Sequence, residues 1–238
     1  MVSFSAIDLA IIVLFFGIVL LIGFVAGRNK DDTAENYLLS GRKVGLFLFV
    51  LTNVSTWYGG ILGVGEFSYR YGLASWFTQG FPYYVFAFVF AFFFAKKIRK
   101  ASLFTIPDKL QEVYGKKVGI TAAVLIFILV SPAPYLLMIG NLLSLILKID
   151  IFPALLIGIF IAAVYLFKGG YSSDIYTDAF EFFVMFAGFI LIFLSAYFAY
   201  GGFDFLEMNL PADHLTLTGG NSPVYILVWF FIALWTFT

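Results

Sequence analysis

Seven apolar segments, each close to the length that a helix needs to cross a bilayer, restrict what this 238-residue chain can fold into. The predicted spans are Ile7 to Ala26, Gly45 to Phe67, Trp76 to Ala95, Val118 to Leu147, Ile151 to Phe167, Ala179 to Tyr200, and a seventh from Val224 to Thr238. Hydrophobic residues make up 62% of the chain and charged residues only 12%, which is more apolar surface than a water-soluble domain of this length can bury. We therefore expect an all-α integral membrane protein, with residues 1–238 forming a single polytopic domain in the lipid bilayer.

The positions of the basic residues predict the orientation of the chain. Of the 14 Lys and Arg residues, all but Arg70 and Lys148 follow the first, third and fifth spans. Cytoplasmic loops carry the excess of Lys and Arg in multi-pass membrane proteins, so these loops are expected inside the cell. The sequence thus predicts a multi-pass protein of the cell membrane whose N-terminus lies outside.

The second span contains a polar, glycine-rich interruption. Asn53, Ser55 and Thr56 are followed by Gly59 and Gly60. A helix that faces lipid is poorly served by these residues, because an unpaired main-chain amide or carbonyl costs several kcal/mol there, to order of magnitude. Interrupted helices of transporters hold ions or substrates at such points. Close packing through small residues is the alternative, and the local pattern alone leaves both open.

Polar side chains also occur in two later spans. Asp178 and Glu181, at the start of the sixth span, are three residues apart and so share one helical face. Charges at membrane depth are expensive and normally face protein or water, which favours a functional role. Asp178 is equally well placed by the pattern to cap the free amides of a helix N-terminus. Gln79, in the third span, brings two donors and an acceptor that need partners.

Three ordered motifs resemble the solute:sodium symporter family. The run from Tyr37 to Arg42 (YLLSGR) is similar to the family's YxLxGR. The run from Thr105 to Leu110 (TIPDKL), followed by Tyr114-Gly115, is similar to its TxPDxL and YG. The third motif is the family's GG…TD, which matches Gly169, Gly170, Thr177 and Asp178.

The resemblance implies a LeuT-like fold, in which a leading helix precedes two inverted five-helix repeats. Residues 7–26 would be the leading helix, and residues about 45–200 the first repeat. Residues 224–238 would begin the second repeat as a truncated sixth core helix. The chain is then expected to be the N-terminal portion of a longer symporter, and the remaining helices of the second repeat are its expected partners.

The resemblance also implies three kinds of site. Sodium would be held by the main-chain carbonyls of Asn53 and Thr56 beside the Ser55 side chain, and such oxygen ligands suit a hard alkali cation. The implied contacts to a small polar solute are Gly60, Gln79 and Trp235. Asp178 matches the family's aspartate near the inner ion route.

The function expected from these motifs is sodium-coupled symport of a small polar organic solute by alternating access, with sodium as the coupling ion. A symporter-like sensor domain of a signalling receptor is the main alternative. A short protein that pairs with another half-transporter is a third possibility. The sequence contains no nucleophile–base arrangement, metal-ligand cluster or phosphate-binding glycine loop, so we expect neither an enzyme nor a nucleic-acid-binding protein.

Overall fold

The computed structural model describes residues 4–28, 33–57 and 61–237, with no description of the side chains of residues 57, 165, 168 and 235–237. Within these ranges every regular element is a helix. The α-helices are α1 Ala6–Ala26, α2 Ala34–Leu39, α3 Leu46–Trp57, α4 Ile61–Tyr71, α5 Ala74–Gln79, α6 Phe81–Phe93, α7 Ala95–Ala101, α8 Ile106–Tyr114, α9 Lys116–Leu129, α10 Ala133–Leu147, α11 Ile151–Tyr200, α12 Phe203–Asn209 and α13 Pro223–Phe237. Short 3-10 turns occur at Ser40–Arg42 and Ala212–Leu215.

By length and composition, four helical segments of the described chain can each cross a membrane, and a bent pair raises the number to five at most. The four are Ala6–Ala26, Ala74–Phe93, Lys116–Leu147 and Gly169–Tyr200. The bent pair joins Ala34–Arg42 to Leu46–Thr56 at an angle of 108°. Two shorter apolar helices, Ile151–Val164 and Pro223–Leu234, overlap the predicted fifth and seventh spans. These helices confirm the prediction of an all-α membrane protein.

The predicted second span is described as two helices. α3 ends at Trp57 and α4 begins at Ile61. The two glycines of the predicted interruption, Gly59 and Gly60, lie outside the described residues.

The predicted fourth span contains a break between α9 and α10. α9 ends at Leu129 and α10 begins at Ala133. Pro132 causes this break, because proline has no amide hydrogen to donate and disfavours helical geometry in the residue before it. The sequence analysis treated the span as continuous and overlooked the effect of this proline.

The predicted fifth and sixth spans meet at a single residue. α11 is two helices that join at Gly170, whose φ of 54° and ψ of −144° are not helical. Only glycine fits there, because a Cβ atom would collide with the main-chain oxygen of Tyr37. Helical structure resumes directly after Gly170, so residues 171–178, predicted to precede the sixth span, are helical.

The described chain divides into two compact units. The first comprises Met1–Gly59 and Val124–Ile190, and the second comprises Gly60–Ala123 and Leu191–Thr238. In the first unit, α10 and α11 approach closely through glycines. A Cβ atom on Gly140 would overlap the Leu155 side chain, and one on Gly158 would overlap Ile139. Small residues allow this close approach in membrane proteins.

Hydroxyl groups also join helices within the first unit. The Ser173 hydroxyl of α11 donates to the main-chain carbonyl of Gly23 in α1 at 2.6 Å. The hydroxyls of Ser40 and Ser172 lie 2.7 Å apart, which links the turn after α2 to the same part of α11. Ser172 and Ser173 are fully buried, so these bonds satisfy groups that have no access to solvent.

The second unit is packed largely by aromatic rings. The ring of Phe67 in α4 lies 5.6 Å from that of Trp229 in α13, and Phe86 in α6 makes an edge contact with Phe230 at 5.5 Å. These separations are within the range that aromatic pairs prefer. α13 is thereby held against helices of its own unit.

The Gly170 kink can be tested with a matched pair of substitutions in α11. We expect Gly170→Ala to reduce stability by about 1–3 kcal/mol, because its backbone geometry strains any residue with a Cβ atom. Gly188→Ala is the control: no atom lies within 4 Å of its added methyl group, and alanine favours the helix by up to about 1 kcal/mol. Thermal unfolding of the purified proteins in detergent compares the two. Equal midpoints would refute the assignment of a glycine-specific kink.

Candidate functional site

The polar residues near the end of α3 lie on one face of the helix. Thr52, Ser55 and Thr56 are separated by three and four residues, the spacing that places side chains on a common face. Thr52 is buried, with 4% of its surface exposed, and Ser55 is half-buried. A polar stripe of this kind inside a membrane unit requires a polar partner.

The partner is Asp178, in the second part of α11. The Thr52 hydroxyl donates to the Asp178 carboxylate. The Ser55 hydroxyl donates to the main-chain carbonyl of the same residue at 2.8 Å. The Thr56 side chain is also within hydrogen-bonding reach of the carboxylate. α3 and α11 are therefore connected within the first unit by hydroxyl donors that converge on one acidic residue.

Asp178 does not cap a helix. The helical segment that contains it resumes after Gly170, eight residues earlier, so Asp178 lies about two turns into the helix and beyond the free amides of its first turn. The capping alternative is wrong because the sixth span begins earlier than predicted. The contacts of this carboxylate with α3 account for its position instead.

The side-chain amide of Asn53 forms its hydrogen bond within its own helix. Its side chain is exposed and donates to the main-chain carbonyl of Phe49 in its own helix at 2.7 Å. The role expected for Asn53 involves its main-chain carbonyl rather than this amide, and it remains a prediction.

Thr52 is the member of this cluster that the sequence analysis missed. The signal was available, because Thr52 precedes Ser55 by three residues and Thr56 by four. Helical spacing alone would have placed it on their face.

Three carboxylates follow one face of α11. Asp174, Asp178 and Glu181 are separated by four and three residues, and each is half-buried. Only the last two were predicted to share a face. Among the described residues, no group of three or more His, Cys, Asp or Glu side chains is arranged to hold a metal ion. The polar atoms around Asp178 are hydroxyl, carbonyl and carboxylate oxygens, which are ligands that hard cations prefer.

The residues expected to contact a solute are placed as follows. Gln79 ends α5 in the second unit, where it is half-buried, and none of the described residues forms a hydrogen bond with its amide. Gly60 lies outside the described residues. Trp235 lies in α13, but its side chain is outside the description. All three remain predictions.

Comparison with known proteins decides the family. The family model described as "Sodium:solute symporter family" matches residues 37–218, about three quarters of the chain. The chain belongs to the sodium:solute symporter family. The matched region includes the three motifs from which the resemblance was inferred.

Curated relatives are transporters rather than enzymes. Over 184 residues the chain is 34% identical to high-affinity choline transporter 1 of Drosophila melanogaster. The matched segment covers 74% of the chain and 30% of the relative. Over 198 residues it is 31% identical to the human high affinity choline transporter 1, and the match covers 78% of the chain and 34% of the relative. Over 233 residues it is 26% identical to sodium/glucose cotransporter 1 of Oryctolagus cuniculus, and the match covers 92% of the chain and 34% of the relative. The chain thus spans about a third of the length of these relatives. No solved structure matches it.

The hydroxyl contacts with Asp178 predict a specific loss of stability. We expect Thr52→Val to destabilise the protein by about 1–2 kcal/mol, because it removes one donor from the half-buried carboxylate while keeping the side-chain shape. Thr121→Val is the matched control, since the Thr121 hydroxyl is exposed and bonds only to the Lys117 carbonyl of its own helix. Thermal unfolding in detergent provides the measurement. A larger loss for Thr121→Val would contradict the role of the cluster.

Proposed function

We propose that this protein takes part in sodium-coupled symport of a small polar organic solute across the plasma membrane by alternating access. In this proposal the chain has a LeuT-like arrangement, with its N-terminus outside. α1 is the leading helix, and residues about 45–200 form the first of two inverted repeats. Membership of the sodium:solute symporter family supports the coupling to sodium.

The convergence of Thr52, Ser55 and Thr56 on Asp178 is the observation that carries the proposal. It concentrates oxygen atoms and one negative charge beside the described end of α3. Main-chain carbonyls at an interruption of a membrane helix are available to a cation, and the proposal places that interruption directly after the described part of α3. The carbonyls of Asn53 and Thr56 lie within the last two turns of that part. We assign sodium to these carbonyls and to the Ser55 hydroxyl.

Asp178 is assigned to the inner ion route. Its carboxylate accepts a hydrogen bond from the Thr52 hydroxyl of α3, the helix that bears the proposed sodium ligands. A carboxylate held in this way lowers the cost of a cation moving past it through a medium of low dielectric constant. Sodium bound at α3 would favour the outward-open state and order the solute site, so that the sodium gradient drives solute entry.

The solute is assigned to Gly60, Gln79 and Trp235. The names of the relatives give two candidates for the first trials, choline and glucose. Gln79 offers donors and an acceptor that suit hydroxyl groups, which both candidates carry.

Uptake measurements test the sodium assignment. Cells that express the complete product of the gene are expected to take up radiolabelled choline or glucose only when external sodium is present. We expect Ser55→Ala, Thr56→Ala and Asp178→Asn each to raise the sodium concentration for half-maximal uptake about tenfold, equivalent to about 1.4 kcal/mol. Thr121→Ala, which removes an exposed hydroxyl of α9, should leave that concentration unchanged. Uptake that responds to protons and ignores sodium would exclude this ion assignment.

Coupling provides a separate test of the solute assignment. Linkage requires the solute to tighten sodium binding by the same factor by which sodium tightens solute binding. We expect Gln79→Ala to raise the solute concentration for half-saturation severalfold, while sodium binding without solute stays as in the wild type. Equilibrium binding of labelled sodium and solute to the purified protein measures both quantities. A change in sodium binding without solute would instead place Gln79 at the ion site.

A further inference from the structure

A cavity of about 440 Å³ lies within the first unit, between α1, α3, α10 and α11. Its walls are almost wholly apolar. Phe15 and Phe16 of α1, Leu143 of α10 and Met185 of α11 are among the lining residues. Ligand pockets of drug-sized molecules have volumes of roughly 300–1,000 Å³ and a few polar groups on an apolar lining, so the cavity has the dimensions of a ligand site.

Polar atoms reach the cavity from two residues. Glu181 alone carries a formal charge among the described residues that line it, and Ser55 contributes a hydroxyl. None of the described residues forms an ion pair or a hydrogen bond with the Glu181 carboxylate, whereas Asp178 is held by α3. Asp174 and Asp178 lie on the same helical face and strengthen the negative potential there. A cation in this cavity would pair with the Glu181 carboxylate, which none of the described groups does.

We propose that this cavity binds an amphiphilic monovalent amine, with the ammonium group on Glu181 and the hydrocarbon body against the apolar walls. The site uses none of the residues assigned to the transported solute. Its rings, Phe15 and Phe16, offer additional attraction to a cation near their faces.

Charge and shape together select this class of ligand. A neutral acyl chain fills the apolar walls but leaves the carboxylate without a counter-charge. An anion is repelled by the carboxylates of α11. A small hydrated cation pairs with Glu181 and leaves most of the apolar lining unfilled. An amine that carries an apolar body of about ten carbon atoms satisfies both parts of the cavity.

Direct binding tests the proposal. Tritiated 4-phenylbutylamine is added to the purified chain in nanodiscs of phosphatidylcholine, in a potassium buffer without sodium, and binding to empty nanodiscs is subtracted. We expect saturable binding that weakens at least tenfold in Glu181→Gln, which keeps the side-chain shape and removes the charge. Ala162→Leu, which fills the cavity, should also abolish it. Glu207→Gln alters an exposed carboxylate of α12 and should bind as the wild type.

The neutral analogue 4-phenylbutanol distinguishes an amine from a neutral lipid chain as the occupant of the cavity. We expect it to compete at least tenfold more weakly than the amine. Equal competition, or wild-type binding by Glu181→Gln, would identify the cavity as a site for neutral lipid chains and overturn the proposal, as would the absence of saturable binding. Because the assay contains no sodium and measures no transport, its result is independent of the proposed symport.

Discussion

A bilayer interior offers no water to main-chain amides and carbonyls, so every departure from helical bonding must be matched by a donor or acceptor from the protein. The same demand applies to side-chain hydroxyls, and in the first unit several of them donate to oxygen atoms of neighbouring helices. Ser173 donates to the Gly23 carbonyl, and Ser55 donates to that of Asp178. Both bonds converge on the part of α11 that follows the kink at Gly170. The polar cluster and the change of chain direction therefore involve the same part of α11, which Ser173 joins to α1 and which Thr52 and Ser55 join to α3.

The apolar spans could be predicted from the sequence because the bilayer imposes both their length and their composition. Their ends could not be predicted equally well. The change of direction at Gly170 takes a single residue, so the sixth span begins about two turns earlier than its apolar pattern indicates. Pro132 has the opposite effect, because it breaks an apolar run that hydropathy treats as continuous. Apolar composition locates membrane helices, whereas main-chain geometry determines where they stop.

The candidate site shows a similar limit. Ser55, Thr56 and Asp178 were identified as functional candidates because polar groups are costly in an apolar span. Their mutual contacts required the packing of α3 against α11, which no local pattern encodes. Without that packing, Asn53 was named as a candidate and Thr52 was not. In the structure the Asn53 side chain bonds to its own helix, and the Thr52 hydroxyl bonds to the Asp178 carboxylate.

The motifs that identify the family are mainly structural in this chain. Thr105 and Asp108 form a capping box at the start of α8, and Gly115 ends that helix with a φ of 89°. Gly41, in the first motif, adopts a φ of 61°, and Gly170, in the third, forms the kink of α11. These positions fix helix ends, where few residue types meet the geometric demand. Geometric demands of this kind do not depend on the solute, which agrees with the similarity of this chain to relatives named as choline and as sodium/glucose transporters.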